Sequence, residues 1–508
     1  MRNHIARLNA DGTLDTGFDP NADATVLSLA LQADGKVLLG GNFNTLQPNG
    51  AAIATARNYI ARVNGDGTLD TDFDPNGNGS VFTLAVQDDG KILLGGNLTS
   101  LQPNGAASPT VRNRIARVNM DGTVDVDFDP NPNGTVSAVV VQPDGKILVG
   151  GSFVFLQPNG AASATLRFRI ARLEADGAVD QEFDPKASNG VLSLALQADG
   201  NILLAGSFIT LQPNGAVSST TRNRIARVDA SGNLDMNFDP NANGRVDTVA
   251  LQADGKILLG GEFTNIQPNG AASATVRSLF ARLVNDPATN TLSAIDPTRV
   301  NWVRGGGAPE LSMVTIEHSV DGGITWSLPL AASRVGTTSN WEVTGLSLPP
   351  SGQIRARGRA ISGFFNGSSG LIEQVAGFGP DADNDGLINA WEELYWPGMT
   401  ALHGALDDDD HDGLVNLLEL AFGLDPMVSD TTGMPPVIED GGYLTMTIVK
   451  RAGVIYEVQS AGSLLATDFS GGTTVVLLDD AGTLKVRDTV PLSTPTSRFM
   501  RVKVTGNP

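Results

Sequence analysis

Two twelve-residue stretches carry oxygen-bearing side chains at a spacing that suits a hard cation. In the first, Asp381, Asp383, Asp385, Asn389 and Glu392 fall at positions 1, 3, 5, 9 and 12, with Gly386 at position 6. In the second, Asp408, Asp410, Asp412, Asn416 and Glu419 take the same positions, with Gly413 at position 6. Calcium needs six to eight oxygens in a flexible cage. The pattern supplies them: three carboxylates, the backbone carbonyl of Leu387 or Leu414, both oxygens of the final Glu, and the Asn directly or through water. Two bound Ca2+ ions are therefore expected. Residues 379–430 hold thirteen acidic residues and no Lys or Arg, so without a cation these carboxylates repel one another. A plain acidic linker would not need two complete patterns. The expected role of the metal is structural, since a Gly- and Asp-rich segment folds once its charge is neutralised.

The elements that must hold these loops are short. Each loop runs into a helix: 387–395, stopped by Pro397, and 414–422, ended by Gly423 and Pro426. No entering helix is expected, because Val375 to Pro380 is too rich in Gly. This departs from a full EF-hand and resembles the loops of dockerins and thrombospondin type 3 repeats in bacterial surface proteins. The cohesin partner of dockerins is not carried over, since no recognition residues match.

The first half of the chain is a repeat. Ile-Ala-Arg begins at 5, 60, 115, 170 and 225 and returns as Phe-Ala-Arg at 280, every step being 55 residues. Phe-Asp-Pro begins at 18, 73, 128, 183 and 238, and Gln-Pro-Asn-Gly at 47, 102, 157, 212 and 267. Each unit reads as four short strands, for example 26–31, 36–41, 58–63 and 68–73. Ala10-Asp11-Gly12 and Ala33-Asp34-Gly35 fit three-residue hairpins with Gly in the left-handed position. That turn sets a register: Asn9 with Thr13, Leu8 facing Leu14, Arg7 facing Asp15. The same arithmetic pairs Arg62 with Asp70, Arg117 with Asp125, Arg172 with Asp180 and Arg227 with Asp235. The recurrent Arg thus has a structural role as a cross-strand partner.

Strands so short and so apolar on both faces must be covered on both sides, as in a β-propeller of four-stranded blades. Hydrophobic runs ending in Gly-Gly at 40–41, 95–96, 150–151 and 260–261 look like kelch blades. The unit resembles the bacterial delta-60 repeat over residues 1–297. That resemblance implies a secreted or surface propeller-like array and no particular chemistry. Ring closure is open at this point, an open array being the alternative.

Residues 298–376 read as a β-rich module with one Asp box, Ser319, Asp321, Gly323, Thr325 and Trp326. This box is a structural hairpin in sialidases. Residues 377–430 hold the paired calcium loops, 431–441 a linker, and 442–508 a small β-sandwich with strands near 443–450, 456–460, 474–478, 484–488 and 499–504.

The balance of the sequence excludes several functions. The 508 residues carry a net charge of −21, which argues against nucleic acid, and contain no cysteine. No apolar run reaches the length of a membrane span, so no membrane insertion is expected. His4, His318, His403 and His411 have no metal-site spacing, and no nucleophile elbow or phosphate loop appears. No catalytic residues and no organic cofactor are expected. The chain begins inside a repeat without a readable signal peptide, as expected of a fragment preceded by more repeats and an export signal. The reading is of a non-enzymatic, mostly β, calcium-stabilised scaffold or binding protein, extracellular or on the cell surface. Its partner would be an extracellular protein or glycan, with the Leu-Gln-Pro-Asn-Gly loops such as 101–113 as contact surface. A propeller-type glycan-active enzyme and an inert spacer for a missing N-terminal domain are the alternatives.

Overall fold

Each 55-residue unit folds into one antiparallel sheet. In the first, Val37–Gly41 lies between Val26–Leu31 and Ile60–Val63, and the same order recurs four times, ending with Val246–Leu251, Ile257–Gly261 and Phe280–Leu283. The computed structural model describes residues 2–103, 105–213, 215–360, 370–383, 385–397, 403–429, 433–465, 469–493 and 497–506. Asn104 and Asn214 of the Gln-Pro-Asn-Gly motif, and part of the 298–376 module, lie outside these residues.

The hairpin register follows the sequence. Asn9 N donates to Thr13 O at 2.8 Å, Leu8 bridges Leu14, and Gly12 has φ +83°. The fourth strand expected in each unit is reduced to a single bridge, such as Val63 with Leu69. Its side chains turn to other work: Phe73, Phe128 and Phe183 are fully buried.

Successive sheets stack through their first strands, Val26–Leu31 on Val81–Val86 and onward in chain order. The Gly-Gly pair makes this possible. The first strand of each sheet bulges, and the second Gly lies opposite: a Cβ on Gly96 would stand 2.0 Å from Ser80 O, and on Gly151 2.0 Å from Thr135 O. The first Gly faces the next sheet, where a Cβ on Gly40, Gly95 or Gly150 would meet Val81, Val136 or Val191 at 2.7–2.8 Å.

The array stops where one residue breaks the turn. Gly67, Gly122, Gly177 and Gly232 take positive φ in their hairpins, and Pro287 stands at the next equivalent place. Proline holds φ near −65°, so the hairpin cannot close. Residues 288–296, read from sequence as the tail of the array, pair instead with Arg299–Gly306 and open the next module. The space that a hairpin covers over earlier Phe residues is here a cavity of about 370 Å³ beside Phe238. Phe280 is 59% exposed, whereas Ile60, Ile115, Ile170 and Ile225 are fully buried, so the last sheet keeps one face open.

The module that follows is a sandwich of two four-stranded sheets around Trp302, Trp341, Leu311 and Ile354. The carboxyl-terminal module pairs Val454–Ala461 with Phe499–Gly506 and sets them against a four-stranded sheet around Met446, Ile448, Val458 and Val486. The stretch 431–441 is not wholly linker, because Val437–Asp440 forms an edge strand on Tyr443–Val449. Among the described residues, no helix is long and apolar enough to cross a membrane.

Candidate metal centre

The strand Leu371–Phe378 enters the first loop, and the helices α1 (Asn389–Tyr395) and α2 (Asn416–Phe422) leave the two loops. Gly386 and Gly413 have φ of +103° and +93°, a sharp turn that a side chain would strain. Their amides donate to the first aspartate of each loop, Gly386 to Asp381 at 3.0 Å and Gly413 to Asp408 at 3.1 Å. Leu387 N donates to Asp385 at 2.7 Å and Leu414 N to Asp412 at 2.8 Å. The carboxylates therefore turn inward on both loops. Asp381, Asp383 and Asp385 each offer an oxygen within 4.8 Å of the others, and so do Asp408, Asp410 and Asp412.

The first turn of each helix brings the final Glu back to its loop. Glu392 is fully buried, and neither carboxylate oxygen has a hydrogen-bond partner. Burial, then the charges of Asp383, Asp385 and Asp381, push it up to about 8. Glu419 is 1% exposed with an unpartnered Oε2, and burial with Asp410, Asp412 and Asp408 pushes it up to about 7. A buried acid facing three others is costly unless a cation stands between them. The donor set is all oxygen, as a hard divalent cation requires.

The two asparagines brace the loops. Asn389 Oδ1 accepts from Ala382 N at 2.9 Å. Asn416 is fully buried, its amide donating to Gly404 O at 3.0 Å and to Asp409 at 2.8 Å, while its Oδ1 has no partner. Asp385 Oδ2 accepts from Ala405 N at 2.8 Å, which ties the first loop to the approach of the second. Sequence reasoning missed His403: its ring stacks on Trp396 at 4.5 Å, and Nδ1 lies 3.0 Å from Asp409. Nothing in the spacing marks that pair.

The loops are docked on their neighbours. Leu387, Leu420 and Ala421 share a core with Val454, and Tyr456 OH donates to Ala421 O at 2.8 Å. On the other side, a Cβ on Gly322 of the Asp box would lie 3.2 Å from Asp383 O. Within that box, Ser319 Oγ accepts from Gly323 N at 2.9 Å and Asp321 from Thr325 N at 2.8 Å. These bonds, with that from the Thr325 hydroxyl foremost, hold the Asp321 carboxyl at about 2. Its residues are occupied in closing the turn.

In the array, the recurrent Arg and Asp are likewise committed. Arg62 Nε stands 2.8 Å from Asp70, Arg117 2.8 Å from Asp125 and Arg172 2.7 Å from Asp180. Arg62 also donates to Met120 O of the next repeat at 2.6 Å and lies over the Phe73 ring at 4.4 Å.

The repeat array matches a β-propeller family. The description is Domain of unknown function (DUF5122) beta-propeller, and the matched segments are 2–18, 32–73, 87–128, 142–183, 197–238 and 252–277. These propeller repeats suit a binding or scaffold role in general. No curated protein matches the chain. A solved structure titled YCF48 bound to D1 peptide is 12% identical with a TM-score of 0.27, covering 57% of this chain and 91% of that one. YCF48 from Cyanidioschyzon merolae is 14% identical with a TM-score of 0.21, over 56% and 94%. The C-terminal WD40 domain of Sif2 is 14% identical with a TM-score of 0.23, over 55% and 66%.

Proposed function

We propose that the chain is a non-enzymatic scaffold whose propeller repeats present a binding surface and whose carboxyl-terminal half is stiffened by two calcium ions. The observation that carries this is Glu392: a fully buried carboxylate with both oxygens unpartnered, set against Asp381, Asp383 and Asp385. Glu419 repeats it in the second loop. Calcium would draw each acid cluster together and hold the loops against Val454 and Tyr456, fixing the direction in which the last sandwich leaves the first. The delta-60-like repeats and the dockerin- or thrombospondin-like loops favour a home outside a bacterial cell, where calcium is abundant, and an adhesive role toward a protein or glycan.

Calorimetric titration of calcium into the metal-free full chain tests the reading. Two sites are expected, with Asp383→Ala removing one and Asp410→Ala the other. No heat and no rise in melting temperature would end it.

A further inference from the structure

The junction between the array and the first sandwich holds buried polar groups that the fold does not use. The hairpin tip of the fourth repeat meets the sandwich there: Ala198 N donates to Ala308 O at 2.7 Å, Glu310 N to Leu196 O at 2.8 Å, and Ser339 Oγ lies 2.8 Å from Ala198 O. Beside these bonds lies a cavity of about 340 Å³ lined by Gln197, Arg304, Glu310, Asp144 and Asp199 among others. That volume is within the ~300–1,000 Å³ range of small-molecule sites.

Two lining side chains carry polar atoms without a hydrogen-bond partner. Gln197 is fully buried, and neither Oε1 nor Nε2 makes a hydrogen bond. Arg304 is 5% exposed; its Nε donates to Asn290 Oδ1 at 3.2 Å, but Nη1 and Nη2 have no acceptor. Glu310 does not satisfy them. Its Oε1 accepts from Arg334 at 2.8 Å and from Leu311 N at 3.0 Å, and its Oε2 accepts from the Ser339 hydroxyl. Buried polar groups in folded proteins are almost always paired, so each exception needs a cause.

We infer that this junction is a binding site for a small hydroxylated carboxylate, such as a uronic acid. The two free donors of Arg304 form a planar fork that suits a carboxylate held by two bonds. Gln197 offers both a donor and an acceptor to hydroxyl groups, and Asp144 and Asp199 offer further acceptors. Among the described lining residues Arg304 is the cation, while Asp144, Asp199 and Glu310 are acids. Glu310 is already neutralised by Arg334, so a ligand carboxylate has to sit on the Arg304 fork with its neutral hydroxyls toward Asp144 and Asp199, and a doubly charged sulfate or phosphate does not suit so acidic a lining. The inference is independent of the calcium loops.

The test is calorimetry on the full chain in calcium, with sodium galacturonate as ligand and galactose and sodium sulfate as controls. Galacturonate should bind, and the controls should not. Arg304→Met and Gln197→Leu should each weaken binding by about tenfold or more, with circular dichroism melting to show that the fold persists. Should Arg304→Met fail to fold, Gln197→Leu and the three ligands still decide. No heat with galacturonate at millimolar concentration overturns the inference. So does equal binding of sulfate, or unchanged binding in folded variants.

Discussion

Arg172 holds Asp180 across its own hairpin, Nε to Oδ2 at 2.7 Å, with Lys146 Nζ 2.8 Å from the same oxygen. The guanidinium also reaches the Ala230 carbonyl of the next repeat and lies over Phe183 at 4.7 Å. One side chain therefore closes a turn within its repeat and fastens that repeat to its successor.

Both partners are nearly buried, at 8% and 4% exposure. Asp180→Asn strands the Arg172 charge and should destabilise the array by about 3–5 kcal/mol, while Arg172→Met leaves Lys146 on Asp180 but loses the bond to Ala230, and should cost somewhat less. Arg7 and Asp15 form the same pair at the exposed start of the array, where such a pair is worth ~0–1 kcal/mol. Urea denaturation of Arg172→Met and Arg7→Met should separate the two clearly. Equal effects would contradict the bridging role.

Acid should act on the array through these carboxylates. Burial alone would raise Asp180, but the bonds from Lys146 and Arg172 outweigh it and hold the carboxyl at about 2, below its ordinary 3.8. Asp70 and Asp125 are lowered in the same way. A depressed carboxyl binds fewer protons folded than unfolded, so its stabilisation is complete above the ordinary value and is lost as pH falls through about 2. Melting temperatures between pH 5 and pH 2 should therefore fall, and fall less steeply in Asp180→Asn.

The two glycines of each Gly-Gly pair should respond differently to alanine. A Cβ on Gly151 meets the Thr135 backbone oxygen at 2.0 Å, and backbone cannot step aside, so about 1–3 kcal/mol or more is expected to be lost. A Cβ on Gly150 meets chiefly the Val191 side chain, at 2.8 Å, with the Val191 backbone oxygen no nearer than 3.4 Å, and the fourth repeat already carries Ala205 there, in one core cluster with Val246. Gly150→Ala should cost ~1 kcal/mol or less, its tighter packing offset by the lower chain entropy of alanine. Thermal melts of the two variants check this, and a more damaging Gly150→Ala would refute the packing argument.

Calcium at a hundredfold excess over its dissociation constant should add roughly 2.7 kcal/mol per site. The gain should appear in the loops and the last sandwich, because Ala421 and Tyr456 join them. Hydrogen exchange with and without a chelator should show protection of residues 443–461 that depends on calcium. Glu392→Gln should retain the fold and lose most of that dependence at the first loop. Protection that ignores the chelator would count against a structural metal.

Much of this architecture was legible in the residues. The Asp-Gly turn dictates a register one step at a time, and Arg7 meets Asp15 as that register requires. Alternation places strands at 443–450 and 474–478, within one residue of the observed Tyr443–Val449 and Thr474–Asp479, and loop spacing places α1 and α2. The boundary after the array was obscured because Thr291 to Pro297 echoes the repeat, while the decisive residue was Pro287. The edge strand Val437–Asp440 is hidden because Val-Ile-Glu-Asp shows no apolar and polar alternation, all four residues being exposed.

What the sequence determined by itself was local and periodic: the 55-residue unit, the hairpins, the five Arg and Asp pairs and the acid spacing of the two loops. These depend on contacts between residues close in the chain or one repeat apart, and periodicity carries them. Only the tertiary structure brought Gln197 and Arg304 to one cavity, stacked His403 on Trp396, and set Gly322 of the Asp box beside Asp383. Those contacts join segments that share no period, so packing alone decides them.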